Sequence, residues 1–596
     1  MDRYLITTAD ERSWKHDRPV LFLGEWCRRY ERKHIWESMD AVVAEPYGVQ
    51  QQQKERDRDY LDNLFNQLLG EVAVALNAFH ATNHSLRYWH IVLGRWLHRY
   101  LAVTFNRYYT LESALKAHPV SGTTVFDAAE YALATADSLE YQMALYGDAW
   151  NNAIYARILQ FWGNVELETI VTARRSTPIS VPDAESDGAQ RRSLKSRVWQ
   201  TAVWLLSKCA RNTDAMIVGS YLPRRVELLL QLSLGQCPQL WRSPELVRVL
   251  TDKEQRRRFN IDAATYHGFE RFVRLHVGEV IPSCYLEGYD QLALEVERLP
   301  WPSEPKFIFT SVNFDTDEVF KAWTGSMVER GIPYFVGQHG NNYGTLIGAQ
   351  NWTEVVTCDR FFTWGWSDGD SRTTPAFIFK TVGRKPRPLA PDGGALMLVV
   401  SPPVRRTAMD EYYEFGLEQE DQFRFVEGLP PGIQRQLTVR IKPDRADTTW
   451  SQEQRWKDRC PQVRIEKGVA NLDSMIAASR MLVCAYDSTG ILEALALDIP
   501  VLCFWRGGLD HLLPSAKPYY ELLIAAGIVA LSPERAAASL AMHWDNIGEW
   551  WDSPTVRAAR KSFCQRYANQ VDNPIRTMKH LLTMPLNRGV VNERAL

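Results

Sequence analysis

The sequence predicts an α/β protein with parallel sheets, because apolar strand-like runs alternate with helical segments. The clearest unit is MLVCAYDSTGILEALALDIPVLCFW at 481–505, in which a buried strand, a polar turn, a short helix and a second buried strand follow one another. The strand-then-polar-turn pattern recurs at 306–312, 332–340, 395–401 and 437–444. Ligands of such sheets bind beyond the carboxyl ends of the strands. We therefore expect two Rossmann-like domains that face each other across a cleft.

The length of the chain and one segment rich in Pro and Gly predict its domains. A chain of 596 residues is too long for one core. RKPRPLAPDGG at 384–394 has the Pro, Gly and charge content of an interdomain linker. We predict an N-terminal domain over 1–390, a C-terminal domain over 391–582 and a tail over 583–596. Three- and four-residue apolar spacing predicts a large helical insertion at about 56–300.

The composition excludes several classes of protein. Lys and Arg number 69 against 71 Asp and Glu, so the net charge of −2 gives no general argument for a nucleic-acid partner. The nine cysteines are scattered without a CxxC pair, which favours a reducing, cytoplasmic setting and argues against a cysteine metal site. No run approaches the roughly 18 to 20 apolar residues of a membrane span.

The turn after the strand MLVCAY is the first candidate binding site. A strand, a Ser/Thr/Gly turn and a helix N-terminus together present backbone N–H groups and a helix dipole to an anion such as a phosphate. The turn comprises Asp487, Ser488, Thr489 and Gly490. Glu493 lies four residues after Thr489, on the same helix face, where a carboxylate suits the hydroxyls of a ribose.

Cations follow two other C-terminal strands. SPPVRR at 401–406 and RIKPD at 440–444 place Ser401, Arg405, Arg440 and Lys442 at strand ends that should surround the same turn. A leaving phosphate or a donor carboxylate needs such cations, and arginine can bind it through two hydrogen bonds. Isolated strand-end arginines are more often plain surface charge.

The GQHGNNYGT turn at 337–345 supplies the first candidate for a catalytic base. A neutral imidazole accepts a hydroxyl proton well, so His339 is assigned this role. The alternative is a structural histidine that bonds loop carbonyls. The neighbours expected near the reacting centre are Gln338, Gly340, Asn341 and Asn342.

Two acidic positions are further candidates. SVNFDTDEVF at 311–320 offers Asn313 and Asp315 before a helix, and Asp315 is the second choice for the base, although helix capping is equally ordinary there. We expect no metal at this DxD spacing. Glu25, at the end of the FLGEWC strand, is assigned to acceptor positioning or base catalysis, with a salt bridge as the alternative.

A basic segment at 191–212 predicts an amphipathic helix with six cations and no acids. Such a helix can rest on an anionic membrane surface, which gives a peripheral membrane contact as one interpretation. Packing against its own domain is the more common fate of such a helix.

Three segments carry a resemblance that spans nearly the whole chain. LITTADERSWKHDRPVLFLGEWC at 5–27, GQHGNNYGT at 337–345 and AYDSTGILEALALDIPVLCFW at 485–505 resemble a bacterial family of transferases from surface-polysaccharide (O-antigen) gene clusters. More distantly, the chain is similar to capsule Kdo transferases, bacterial sialyltransferases and CDP-glycerol-type polymerases. In those families a His-Pro pair contacts the nucleotide phosphate, and Lys442–Pro443 stands at that position here.

The resemblance implies a metal-independent GT-B glycosyltransferase without a cofactor. It implies transfer of a sugar, preferably a CMP-activated nonulosonate or Kdo-type acid, from a nucleotide-sugar donor to a hydroxyl of a surface glycan or a lipid-linked precursor. The alternatives are a CDP-alditol phosphotransferase, a hexosyltransferase that uses a UDP- or GDP-sugar, and a non-catalytic nucleotide-sugar-binding scaffold.

Overall fold

The computed structural model describes residues 2–127, 131–171, 210–385, 390, 392–398, 415–441 and 451–586. Three of the predicted donor-site residues lie outside this part of the chain, namely Ser401, Arg405 and Lys442. The same is true of 191–209 in the predicted basic helix and of 587–596 in the predicted tail.

Three parallel sheets form the framework, and the first lies in the N-terminal third of the chain. This N-terminal sheet has the strand order β3-β2-β1-β4-β5. Its strands are β1 Arg3–Ile6, β2 Val20–Phe22, β3 Ala41–Val43, β4 Val120–Phe126 and β5 Leu167–Ile170. All four pairings are parallel.

The middle sheet has the order β10-β9-β8-β7-β6 and the C-terminal sheet has the order β13-β12-β11-β14-β15-β16. The middle strands are β6 Met216–Ile217, β7 Ile308–Thr310, β8 Tyr334–Gly337, β9 Arg360–Thr363 and β10 Thr373–Pro375. The C-terminal strands are β11 Ala395–Leu398, β12 Leu437–Arg440, β13 Arg464–Glu466, β14 Met481–Cys484, β15 Val501–Phe504 and β16 Val529–Ala530. Every residue of β8, β9, β14 and β15 is buried, as expected of parallel strands covered on both faces.

Helices cover the sheets. In the N-terminal and middle parts they are α1 Lys33–Trp36, α2 Gln51–His80, α3 Leu86–Ala117, α4 Ser138–Ala144, α5 Asp148–Trp162, α6 Arg224–Ser233, α7 Lys253–Arg258, α8 Gly268–Val280, α9 Tyr289–Glu297, α10 Glu318–Glu329 and α11 Thr353–Thr357. In the C-terminal part they are α12 Phe415–Glu427, α13 Pro431–Gln434, α14 Gln452–Arg459, α15 Leu472–Ala477, α16 Thr489–Ala496, α17 Lys517–Ala525, α18 Pro533–His543, α19 Ile547–Trp551, α20 Pro554–Tyr567 and α21 Pro574–Thr583.

Helix α3 joins the N-terminal and middle units. It packs against α2 and α5 on the side of the N-terminal sheet and against α10 and α11 on the side of the middle sheet. Two-sided packing explains its many buried aromatic residues, among them Trp89, Trp96 and Tyr100. Many of the 21 tryptophans and 24 tyrosines of the chain therefore serve this core.

The predicted α/β class with parallel sheets facing a cleft is confirmed, with one addition. The prediction placed one sheet in the N-terminal half, whereas the structure has two. The predicted insertion at about 56–300 is helical through α2 and α3 but also carries β4, β5 and β6. Strand β4, VSGTTVF, lies within the segment predicted as helical, and its buried Thr123 hydroxyl donates to Leu5 O of β1 at 2.8 Å.

The carboxyl ends of the middle and C-terminal sheets meet directly. Leu346 forms an antiparallel bridge with Leu512, and Leu513 N donates to Thr345 O at 2.7 Å. These bonds fix the turn that follows β8 against the segment that follows β15. Within the described residues, no helix combines the length and the apolar character needed to cross a membrane.

Candidate functional site

His339 lies at the carboxyl end of β8, beside the junction of the two sheets. The strand ends at Gly337, and the His339 ring then packs among three aromatic rings, those of Tyr221, Phe314 and Tyr343, with centroid distances of 6.1, 5.7 and 5.2 Å. The side chain is partly exposed, so one edge of the ring faces the cleft. This position is the one predicted for the base.

A hydrogen-bonded chain fixes the protonation of this ring. The Tyr343 hydroxyl donates to Glu354 Oε1 at 2.6 Å, and it lies 2.9 Å from His339 Nδ1. A phenol carries one proton, and an ionised carboxylate can only accept, so the phenol oxygen accepts from Nδ1–H. Nε2 is then left without a proton, as a base requires.

Burial lowers the pKa of His339 below its ordinary value of 6.5, since desolvation penalises the charged imidazolium. The neighbouring Glu354 opposes this shift, and Arg95 reinforces it. His339 is therefore neutral at pH 7 and able to accept a proton. This combination of a set tautomer and a neutral ring favours the catalytic interpretation over a purely structural one.

Asp315, the second choice for the base, is committed to an ion-pair network. Its Oδ1 accepts from Arg95 Nε at 3.2 Å and from Arg99 Nη2 at 2.5 Å. Burial would raise the pKa of Asp315, but the charges of Arg99 and Arg95 outweigh it and lower the pKa to about 2. So acidic a carboxyl is a poor proton acceptor, and the assignment of Asp315 as a base is corrected to a structural role. Arg95 also pairs with Glu354 at 3.5 Å, which links this network to the His339 chain.

Two other residues of the GQHGNNYGT turn stabilise its backbone conformation. The Gln338 amide donates to Gly340 O at 2.8 Å, and its oxygen accepts from Trp364 N and Trp366 Nε1, each at 2.8 Å. Asn342 adopts a φ of 80°, a left-handed conformation that asparagine tolerates better than most residues. Gln338 and Asn342 therefore shape the turn.

Asn313 also has a local role. Its amide donates to Asp317 Oδ2 at 2.8 Å, and Asp317 accepts from Phe320 N at 3.0 Å as the N-cap of α10. The Ser243 hydroxyl adds a third bond to the same carboxylate at 2.6 Å. The capping alternative weighed for this segment thus applies to Asp317, with Asn313 as its partner.

Asn341 joins the two sheets across the cleft. Its backbone N–H donates to the Thr489 hydroxyl at 3.0 Å, and its side-chain amide donates to Asp487 Oδ1 at 2.7 Å. Asp487 also lies 3.2 Å from His511 Nε2 and accepts from the Tyr520 hydroxyl at 3.1 Å. Asp487 and the Thr489 side chain are therefore engaged in the interface, which leaves the backbone and Ser488 to meet a ligand.

Ser488 is the N-cap of α16, but its side chain does not cap the helix. Its buried hydroxyl has no hydrogen-bond partner of normal geometry. The Tyr486 phenol lies close enough for this hydroxyl to affect the pKa of Tyr486. The first N–H groups of a helix also lack intrahelical partners, and Gly490 leaves them unshielded by a side chain. This turn thus has hydrogen-bond donors available for an oxyanion.

Glu493 lies among cations that the sequence analysis did not single out. Arg384 Nη1 donates to Glu493 Oε2 at 3.1 Å, and Lys380 Nζ lies 3.7 Å from Oε1. Lys380 also stands over the Tyr221 ring at 4.8 Å, and its charge helps to lower the pKa of His339. Lys380 and Arg384 therefore place positive charge between the α16 turn and the candidate base.

Two predicted residues lie apart from this cluster. Arg440 pairs with Glu466 at 3.0 Å and donates to Ala470 O at 2.8 Å, so it stabilises the end of the neighbouring strand β13. Glu25 pairs with Arg28 in the N-terminal unit, which is the salt-bridge alternative weighed for it. In the described part of the chain, no hydrogen bond or ion pair connects either residue to His339.

Sequence reasoning missed Tyr343, Glu354, Lys380 and Arg384. Tyr343 lies within the GQHGNNYGT motif, four residues after His339, and its spacing was a usable signal. Glu354, Lys380 and Arg384 carry no motif, and only the fold brings them to the cleft. Among the described residues, no group of three or more His, Cys, Asp or Glu side chains is arranged to hold a metal ion.

Several solved structures are similar to parts of the chain. Staphylococcus aureus MnaA with UDP matches with 13% identity over 50% of this chain and 81% of its own, at a TM-score of 0.31. The glycotransferase of kitacinnamycin matches with 13% identity over 59% and 94%, at 0.30. Spinosyn rhamnosyltransferase SpnG with thymidine diphosphate matches with 14% identity over 50% and 77%, at 0.28. Such low TM-scores establish no common fold, and the architecture rests on the strand pairing of the chain itself.

The sequence comparisons give a firmer assignment. No curated protein shows significant similarity to the chain. The family model described as "LIC12162 family transferase" matches residues 3–582, nearly the whole length. The chain therefore belongs to the LIC12162 family of transferases.

Proposed function

We propose that this transferase is a glycosyltransferase that uses a nucleotide-activated sugar and His339 as its base. The observation that carries the proposal is the His339–Tyr343–Glu354 chain, which leaves Nε2 unprotonated at the edge of the cleft. The α16 turn, which suits a phosphate, faces the same edge through Asn341. A base and an oxyanion site on opposite sides of one cleft suit the transfer of a sugar away from a phosphate.

The reaction follows from these positions. An acceptor hydroxyl oxygen attacks the anomeric carbon of the donor, and its proton passes to His339 Nε2. The bond between that carbon and the phosphate oxygen breaks, and the electron pair leaves with the nucleotide phosphate. Donors at the N-terminus of α16, with Lys380 and Arg384, stabilise this negative charge. The preferred donor is a CMP-activated nonulosonate or Kdo-type acid, on the strength of the family resemblance, and the acceptor is a surface glycan or its lipid-linked precursor.

Glu493 has a double role in this proposal. It accepts from Arg384 and pairs with Lys380, so it holds both cations beside the helix turn. Its carboxylate also lies on the helix face predicted to contact the ribose. Glu493→Ala should therefore weaken donor binding, whereas His339→Ala should chiefly lower turnover. Unchanged values for both variants would remove the assignment.

The first experiment is a thermal-shift screen of the purified protein with CMP, CDP, UDP and GDP, because a ligand that binds the folded state raises the apparent stability. Turnover with candidate donors then identifies the released nucleotide and the labelled group. CMP released with transfer of the sugar supports the proposal, whereas transfer of an alditol phosphate indicates a phosphotransferase. Binding without any turnover would favour a scaffold.

A matched histidine controls for general effects of mutation. His276 lies on α8, where its Nδ1 is 2.8 Å from Phe272 O, and burial lowers its pKa as it does that of His339. We expect His339→Gln to lower kcat by about 100-fold or more, the usual contribution of a general base. His276→Gln should leave kcat unchanged. Equal kcat values for the two variants would contradict the role of His339.

A further inference from the structure

Helix α3 carries a buried arginine whose charge is only partly satisfied. Arg99 donates to Asp315 through Nη2, but its Nε and Nη1 atoms are buried and have no hydrogen-bond partner. The side chain is 3% exposed. A buried guanidinium with open donors is costly, because each lost bond to water has no replacement.

Two further open donors lie near Arg99. Trp96 precedes it by one helical turn, and the indole Nε1 has no partner. The Tyr141 ring of α4 packs against Trp96 at a centroid distance of 6.0 Å, and its buried hydroxyl is also unpartnered. We call Arg99, Trp96 and Tyr141 the α3 donor cluster.

The electrostatics of the cluster favour an anion. Burial raises the pKa of Tyr141, and the positive charges of Arg107 and Arg99 oppose that shift. Arg107 is itself buried and donates to Asn151 Oδ1 at 3.0 Å. An indole and a guanidinium can only donate, and hydroxyls can donate as well as accept. The complementary ligand is an oxygen-rich anion.

The cluster is connected to the proposed active site. Arg99 shares the Asp315 carboxylate with Arg95, and Arg95 pairs with Glu354, the residue that accepts from Tyr343. A group bound at Arg99 therefore lies at one end of a continuous polar chain that leads to His339.

We propose that the α3 donor cluster binds the oxyanion, a carboxylate or a phosphate, of a sugar substrate. The assignment to a sugar rests on the proposed glycosyl transfer, whereas the anion site itself does not. Because Arg99, Trp96 and Tyr141 are closed off from solvent, α3 and α4 must separate slightly to admit the ligand. The hydrogen bonds gained by the open donors favour that movement.

Tyr141→Phe tests the proposal without removing any existing hydrogen bond. The ligand-free variant should unfold at the same temperature as the parent protein or a higher one, since the hydroxyl has no partner to lose. Tyr100→Phe is the matched control, because this buried tyrosine stacks on Trp96 but donates to Val273 O at 2.8 Å. That control should lower stability and leave anion binding intact.

The binding experiment uses calorimetry with inorganic phosphate, N-acetylneuraminate, the methyl ester of that sugar acid, and CMP. We expect the two anions to bind and the uncharged ester not to bind. The dissociation constants of the anions should rise about tenfold in Tyr141→Phe and more in Arg99→Gln, as expected for the loss of charge-assisted bonds. CMP should bind all variants equally, because its proposed site is the α16 turn.

The outcomes separate this proposal from the preceding one. Unaltered anion binding in Tyr141→Phe and Arg99→Gln, or no anion binding to the parent protein, overturns the α3 site. Binding of phosphate but not of N-acetylneuraminate supports the site and assigns it to a phosphate group. Anion binding without binding of any nucleotide supports the site while the proposed glycosyl transfer fails.

Discussion

Replacement of Tyr343 by phenylalanine is the sharpest test of the catalytic assignment. The change removes one oxygen atom and leaves the ring, which is almost fully buried, in place. That oxygen donates to Glu354 at 2.6 Å and accepts from His339 at 2.9 Å. Tyr343→Phe therefore cuts the link that sets the tautomer of the base without touching the base.

The loss of stability follows from the two hydrogen bonds that the Tyr343 hydroxyl makes. A hydrogen bond to a charged group contributes about 1.5–3 kcal/mol and a neutral one about 0.5–1.5 kcal/mol. The free energy of unfolding should therefore fall by about 2–4.5 kcal/mol, because Glu354 keeps only its ion pair with Arg95 among the described contacts. Once Nδ1–H loses its acceptor, the proton can move to Nε2 and block it. A loss of about 1.5–3 kcal/mol in orientation lowers kcat by roughly 10- to 100-fold.

The pH profile distinguishes catalysis from stability. Burial already lowers the pKa of His339 below 6.5, so activity should fall as the pH drops below that value and the ring is protonated. The imidazolium donates to Tyr343 more strongly than the neutral ring does. Tyr343→Phe should therefore lower the pKa further and move the acid limb of kcat/KM to lower pH, with a lower plateau.

Tyr285→Phe is the matched control. This buried hydroxyl donates to Glu318 at 2.5 Å and accepts from Lys321 at 2.9 Å, in the core between α3 and α10. The control should lose comparable stability in denaturant unfolding and keep the acid limb of kcat/KM in place. If the limb stays in place in Tyr343→Phe as well, the tautomer argument is wrong and Tyr343 is merely structural.

The groups around His339 and the α16 turn can be tested by substitution as well. Lys380→Ala and Arg384→Ala should each raise the dissociation constant of the bound nucleotide about tenfold, with calorimetry as the measurement, and an unchanged constant in both would exclude them from the donor site. Asp315→Asn should lower the free energy of unfolding by about 2 kcal/mol at pH 7, because the pKa of Asp315 falls from 3.8 to about 2 on folding. That stability is present above pH 3.8 and disappears as the pH falls through about 2, so the gap between parent and variant should close there. Asn341→Ala should lower nucleotide affinity, because Asp487 loses the Asn341 side-chain amide while the backbone N–H bond to Thr489 remains. Unchanged nucleotide affinity in this variant would show that the side-chain bond across the cleft is dispensable.

The C-terminal sheet was predictable because two of its strands have a clear signature in the local sequence. MLVC and VLCF are short, fully apolar and separated by a turn and a helix, which leaves few alternatives to a parallel unit. The N-terminal sheet was harder to predict, since β4 mixes glycine, serine and threonine. Its two buried hydroxyls bond to the neighbouring strand, Thr123 to Leu5 O and Thr124 to the Tyr4 hydroxyl. Hydrophobic periodicity identifies strands that bury apolar residues. It gives no signal for a strand whose buried side chains are polar and hydrogen-bonded.

Part of the candidate site was predictable from the local sequence, and part of it was not. His339 and Ser488 follow buried strands, and the end of a parallel strand is predictable from local sequence. Glu354 and Lys380 reach the cleft from a short helix after β8 and from a turn beyond β10. Their positions depend on how the sheets meet, which no local pattern encodes. Asp315 shows the converse error, because its spacing was right and its partners on α3 were invisible in the sequence.

The burial of Asp315, Arg95 and Glu354 also explains why the base can remain neutral. A carboxylate placed alone beside His339 would raise its pKa and favour the imidazolium. Here Arg95 lies between Asp315 and Glu354, so the negative charges near the ring are balanced by a cation that no base can deprotonate at neutral pH. The Glu354 carboxylate can then orient the ring through Tyr343 while burial continues to dominate its pKa. The phenol of Tyr343 thus lets Glu354 orient the base, and the charge of Glu354 raises the pKa of His339 by less than burial lowers it.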